Sequence, residues 1–264
     1  MNQLALKAGG DVLMLANDDL VLDSDCIDSG IAALMQNGSV GLVGARLRDQ
    51  HGLLTHAGIN FDSKFSSYHS LDGLINSNET VLTPSGPVPA VSGALQWIHR
   101  TTFLEQPFNT AYRVCGEDVE LCLDIQQHLK QDIWLCNEAS AIHEAESTRS
   151  SQQDQGQNSE DLLRLRARVR TFIEQATADQ LKVLLLQQQR ESQQLRDLLK
   201  TKAEIPELND FKSLIKNFGS ISNLKEELDN FAEIDREQNL VLSDLREERI
   251  RLQEQLEILR GAQS

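Results

Sequence analysis

The chain has 264 residues and a formal net charge of −15, a length that suits one large domain or two smaller ones. An acidic excess of this kind speaks against binding nucleic acid through its phosphates, and against adhesion to anionic lipid, since both need clustered Lys and Arg. No apolar run reaches the ~20 residues that cross a bilayer, and the start lacks the basic and apolar stretches of a signal peptide. The expectation is a cytoplasmic protein, at most peripheral on the inner face of a membrane.

Composition divides the chain. Residues 1–150 hold four of the five prolines, both tryptophans and all four cysteines, with eight Lys and Arg against nineteen Asp and Glu. From about 151 onward the sequence is rich in Leu, Gln, Glu and Arg, with seventeen basic against twenty-one acidic residues. Cys26, Cys115, Cys122 and Cys136 show no C-x-x-C spacing, which speaks against zinc and for reduced, mostly buried thiols.

In chain order, Asp11-Val12-Leu13-Met14-Leu15-Ala16 is a short apolar run that ends at Asn17-Asp18-Asp19. It reads as a buried strand of a parallel sheet, with its acids at the carboxyl end where open α/β sheets bind ligands. Oxygen ligands there suit Mg²⁺ or Mn²⁺, ions usually held together with substrate phosphates. Asp25 to Asn37 has helical spacing, with its cap at Ser24 or Asp25 and Asn37-Gly38 as its stop. That leaves Asp18 and Asp19 outside the cap. Val40 to Ala45 is a second buried strand, whose glycines indicate close backbone approach.

A hairpin or loop over Gly52 to Asp62 follows, and 62–86, rich in Ser, Asn and Gly, reads as a surface loop. Val88 to Arg100 is a strand interrupted at Ser92-Gly93. A second acidic knot, Glu117-Asp118-Val119-Glu120, opens a helix to Leu129. Ile133 to Cys136 and Ala139 to Ile142 are the last strands, leading to His143. Standing alone, Glu117 and Asp118 read equally as first-turn acids favoured by the helix dipole.

The polar residues 150–160 form a linker, after which Asp161 to Thr201 reads as one long amphipathic helix, with a break near 201–220. From Ile221 to Leu259 a three-four alternation runs over five heptads, with nine of twelve seam positions apolar. This is a coiled-coil pattern, either of an oligomer or of an intramolecular helical hairpin.

The order of these motifs resembles the family 2 glycosyltransferases, enzymes of the GT-A fold, in particular their rhamnosyltransferase-like members. Asn17-Asp18-Asp19 resembles the D-x-D-like signature, and Val40 to Leu47 followed by His56-Ala57-Gly58 is similar to the segment after it. Val88 to Ala94 with Ile98 to Phe103 resembles the strand before the acceptor site. Glu117-Asp118-Val119-Glu120-Leu121-Cys122-Leu123 is similar to the E-D-x-D-L-C-L-R helix start, and His143 with Ser147 to the closing histidine. The resemblance spans residues 2–149. Asp124 stands where the family usually has Arg, and Glu105 to Asn109 replaces its G-G-F-D-E.

The resemblance implies an α/β, GT-A-like mixed sheet over residues 1–149, lacking its first βαβ unit, with the region 161–264 as a helical and coiled-coil tail. It implies cation-assisted, inverting sugar transfer from a nucleotide-sugar donor to a glycan or lipid-linked acceptor, in polysaccharide biosynthesis. Asp19 and His143 would hold the divalent cation, with Asn17 and Asp18 on the donor. Asp118 would be the general base. Ser92, Gly93, Trp97 and Glu117 would border the acceptor. The competing reading is a non-catalytic remnant whose coiled coil mediates oligomerisation or partner binding.

Overall fold

The structure, a computed structural model, describes residues 1–36, 38–78, 84–143 and 155–203. The chain divides into two compact units, Met1–Asp197 and Leu198–Ser264, and the first carries everything that follows. The expected coiled coil at 221–259, and the expected break near 201–220 beyond residue 203, lie outside the described residues.

A short helix α1 (Asn2–Lys7) leads into β1 (Val12–Ala16), β2 (Leu20–Leu22), α2 (Cys26–Gln36) and β3 (Val40–Arg48). Four short strands follow: β4 (Leu54–His56), β5 (Ile59–Phe61), β6 (Ser67–His69) and β7 (Gly86–Pro87). Then come β8 (Leu95–His99), α3 (Arg100–Glu105), α4 (Glu117–Asp124) with a π-type turn over Ile125–Leu129, and β9 (Asp132–His143). The pair α5 (Gln155–Gln175) and α6 (Ala178–Ala203) closes the described chain.

The main sheet runs β1-β8-β3-β9-β2, with β4 added to β3 and β7 to β9. The pair β3·β9 is parallel, while β1·β8, β3·β8 and β2·β9 are antiparallel. The expected mixed α/β class holds. The expected parallel setting of the first strand does not. Among the described residues β1 has one sheet neighbour, β8, and only Leu13 and Leu15 are buried while Met14 is 40% exposed. An edge position explains this half-exposed alternation.

Side-chain alternation assigns the two faces. Val43, Ala45 and Leu47 of β3 join Leu95 and Trp97 of β8 in one apolar cluster under Cys26, Ala33 and Leu34 of α2. Gly30 lets α2 lie directly on the indole: a Cβ there would stand 2.3 Å from Trp97. The glycines of β3 serve close approach as expected, since a Cβ at Gly44 would stand 2.4 Å from Val91. All four cysteines are unbridged, three of them buried.

The structure revises several sequence expectations. The two last strands are one, β9, in which a register irregularity at Ala45/Arg46 of β3 mimics a gap. The loop 62–86 contains β6, which pairs with β5 as a small two-stranded sheet. The single long helix is two, broken at Ala176-Thr177, where the Thr177 hydroxyl accepts from the Gln180 amide and so starts α6.

Leu165, Val169 and Phe172 of α5 are buried at 3%, 0% and 1% exposure, so α5 and the first part of α6 belong to the same unit as the sheet. Further along, Gln180 reaches the Gln126 carbonyl, Gln188 that of Phe61, and Glu191 accepts from Asn60 and Tyr68. No helix among the described residues is long and apolar enough to cross a membrane.

Candidate active site

The site forms at one rim of the sheet, where β1 ends, β8 begins and β9 ends. The Asn17 amide donates to the Ala94 carbonyl at 2.9 Å, which ties the turn after β1 to the segment before β8. One residue earlier in that segment, the Gly93 amide donates to Asp118 Oδ2 at 2.7 Å. Leu20 pairs with His143 across β2 and β9, so the turn that leaves β1 also delivers Asp19 to His143. Asp19 and Asp118, 99 residues apart in sequence, therefore belong to one rim.

Asp19 Oδ1 lies 3.4 Å from His143 Nε2. That oxygen is buried and has no hydrogen-bond partner among the described residues. Asn17 and Asp18 are exposed beside it. None of the three caps α2, which begins at Cys26 after Asp25 in the left-handed region, φ 62°. The first turn of α2 thus lies beyond the acids at 17–19.

Asp118 is fixed at both oxygens, Oδ1 accepting from the Val119 amide at 2.8 Å and Oδ2 from Gly93. It stands in the first turn of α4, behind Gly116, whose φ of +104° suits glycine. The approach to Gly93 is close: a Cβ there would meet Asp118 Cβ at 2.8 Å. Beside it, burial and then the neighbouring Asp118 carboxylate push the Glu117 carboxyl above its ordinary range. Glu120 turns away from the rim, accepting from Asn109 at 2.7 Å and from the Tyr112 hydroxyl at 2.5 Å.

The structure brings together Asn17, Asp19, Ser92, Gly93, Asp118 and His143. It does not bring Trp97. That residue is 1% exposed and packs beneath α2, so the expectation that it borders an acceptor is corrected: it is a core residue, because its place on β8 faces the helix layer.

His56, which the sequence offers only as part of the His56-Ala57-Gly58 segment, is tied to this rim by its contacts. Its Nε2 accepts from the Ser92 amide at 3.1 Å, and its Nδ1 lies 3.3 Å from His69 Nδ1. Burial, then the nearby His69 and His143, hold its pKa well below the ordinary histidine value. An imidazole accepting at Nε2 is neutral there. The one sequence signal was the position of His56 in the His56-Ala57-Gly58 segment. Asp23 was also missed: it takes a bidentate Arg48 and accepts from Ser140, which locks the start of α2 to β3 and β9.

Asp19 and His143 suit a shared divalent cation in ligand type, and the bare oxygen of Asp19 is the feature that a cation would satisfy. Among the described residues no group of three or more His, Cys, Asp or Glu could hold a metal by itself. Two protein ligands match an ion completed by phosphate oxygens and water, the usual habit of Mg²⁺.

No family model matches the chain, and no curated protein does. Among solved structures, the chain is similar to GalNAc-T7, crystallised with UDP, GalNAc and Mn²⁺, at 17% identity and a TM-score of 0.41, covering 53% of this chain and 29% of that one. It is similar to A197 from STIV at 17% identity and 0.32, covering 54% of this chain and 62% of that one. A mycobacterial protein is similar at 15% identity and 0.38, covering 64% of this chain and 49% of that one. The chain thus spans between 29% and 62% of the lengths of these three proteins.

Proposed function

We propose that the unit ending at Asp197 is a GT-A-like sugar-transfer domain acting on a nucleotide-sugar donor and a hydroxyl acceptor, with inversion. The motif order given by the sequence supports this reading. The observation that carries it is the buried Asp19 oxygen, which faces His143 and has no hydrogen-bond partner among the described residues, on the rim that also holds Asp118.

In this reading Asp118 takes the proton of the acceptor hydroxyl as that oxygen attacks the anomeric carbon. The bond from that carbon to the diphosphate breaks on the opposite face, and its electron pair leaves with the phosphate oxygen. Asp19 and His143 would hold a divalent cation, Mg²⁺ or Mn²⁺, which supplies charge neutralisation for the departing diphosphate. Asn17 and Asp18, exposed beside Asp19, border the donor. Ser92, Gly93 and Glu117 border the acceptor. Gly93 also aims the base, since its amide fixes Asp118 Oδ2.

The competing reading is a binding module in which Asp118 only fastens the start of α4 to the 92–94 segment. Its two backbone hydrogen bonds are the observation in favour. Release of nucleoside diphosphate from a panel of uridine, thymidine and guanosine diphosphate sugars separates the two. Asp118→Asn should lower turnover by about 10²–10⁴-fold while donor affinity holds. Turnover equal to that of the wild type rejects the catalytic reading.

A further inference from the structure

The helix α5 lies outside the span of the sequence resemblance, yet it meets the turn that presents Asp118. Asp161, 2% exposed, directs Oδ2 at three consecutive backbone amides: Arg113 at 2.9 Å, Val114 at 2.7 Å and Cys115 at 3.3 Å. The next residue is Gly116, and α4 begins directly after it. Three N–H donors on one carboxylate oxygen compensate a charge that would otherwise be costly to bury. They also hold the Asp161 carboxyl below its ordinary range despite the opposing effect of burial.

Two more α5 side chains touch the same turn. A Cβ on Gly116 would meet Leu165 Cδ2 at 3.3 Å and the Tyr112 ring at 2.9 Å. Arg164 stands over that ring, 5.5 Å from its centroid, and the Tyr112 hydroxyl reaches on to Glu120 of α4. One turn further along, Arg168 pairs with Asp124 at 2.7 Å. That is the position where the resembled family usually carries Arg, and here the cation comes from α5 instead. Asp118 is thus clamped from two sides, by Gly93 on the sheet side and by a turn whose amides are held from α5.

We propose that Asp161 is a positioning residue for Asp118, acting through the 113–116 turn, so that α5 is part of the catalytic apparatus rather than an appendage. This rests on the sugar-transfer reading for its consequence in turnover, though not for its geometry.

Backbone amide exchange in the full chain tests the geometry without any substrate. Asp161→Ala should speed exchange at Arg113, Val114 and Cys115, and also at Gly93 and Val119, whose amides report Asp118, by at least about tenfold. Asp161→Asn keeps an oxygen acceptor and should restore protection to within about threefold of the wild type. Phe172→Ala, in the same helix but remote from the turn, controls for general loosening. It should leave Gly93 and Val119 ranked among other amides as before.

Exchange at Gly93 and Val119 in Asp161→Ala that rises no more than that of the other sheet amides overturns the proposal, and so does an equally selective rise at these two amides in Phe172→Ala. In turnover, Asp161→Ala should lower kcat about tenfold or more with donor KM within about twofold, and Asp161→Asn should recover most of it. An unchanged kcat also overturns it. If instead Asp118→Asn turns over like the wild type, the sugar-transfer reading fails, while the exchange at Gly93 and Val119 still decides whether Asp161 sets Asp118.

Discussion

Phe172→Ala is the perturbation that shows most clearly where the folded unit ends. Leu165, Val169 and Phe172 form an i, i+4, i+7 stripe on α5, and Phe172 is 1% exposed. Truncating a fully buried Phe costs about 3–5 kcal/mol, transfer and cavity together. Against a total of about 5–15 kcal/mol for a domain, that is a large fraction. With a urea slope of about 2 kcal/mol per molar, the midpoint should fall by about 2 M. The chain has two tryptophans, and both sit on the main sheet, Trp97 on β8 and Trp134 on β9. Tryptophan fluorescence therefore reports the sheet, while far-ultraviolet ellipticity is weighted to the helices. Because α5 shares the core, both signals should shift together to the lower midpoint. Loss of helical signal at low urea with the fluorescence midpoint unchanged would refute the reasoning, and α5 would be a separate element.

Gly93→Ala puts a methyl 2.8 Å from Asp118 Cβ, so the carboxylate must retreat by about half an ångström to reach ordinary contact; turnover should fall by about ten- to a hundredfold with modest loss of stability, measured by nucleotide release and thermal melting. Stability should also drop between pH 6.5 and 5. His56 titrates lower in the folded chain than when unfolded, so below about pH 6.5 the unfolded state takes a proton that the native state refuses, at up to about 1.4 kcal/mol per pH unit. Urea midpoints at pH 7.5, 6.5 and 5.5 check this, and a flat profile would contradict a neutral buried imidazole. Asp19→Asn should leave thermal stability unchanged or slightly raised, because the oxygen it alters makes no hydrogen bond among the described residues; a clear loss would mean that Asp19 is structural.

The parts of the fold legible in the sequence are those set by local patterning. The α2 helix, β3 and α4 follow apolar periodicity, and the acids at the end of β1 stand out because they follow an apolar run directly. Strand pairing was not legible: β1 is apolar enough to read as central, yet Met14 is exposed at an edge. Trp97 illustrates the same limit, since nothing local distinguishes an indole facing α2 from one facing a ligand. The site was legible only as separate motifs. Its unity depends on long-range contacts, such as the Asn17 amide on Ala94 and the pairing of Leu20 with His143, which no sequence spacing encodes. Asp161 was hidden for a related reason. A polar residue near the start of a Gln-rich helix carries no sign that three amides from residues 113–115 will converge on it.

Calorimetric titration of Mn²⁺ into the full chain with uridine diphosphate present tests most directly whether this rim is a cation-assisted donor site. The wild type should bind the pair, and Asp19→Asn and His143→Ala should each weaken binding by at least about tenfold while remaining folded. Equal binding by all three proteins, or none by the folded wild type with any nucleoside diphosphate, would contradict the account.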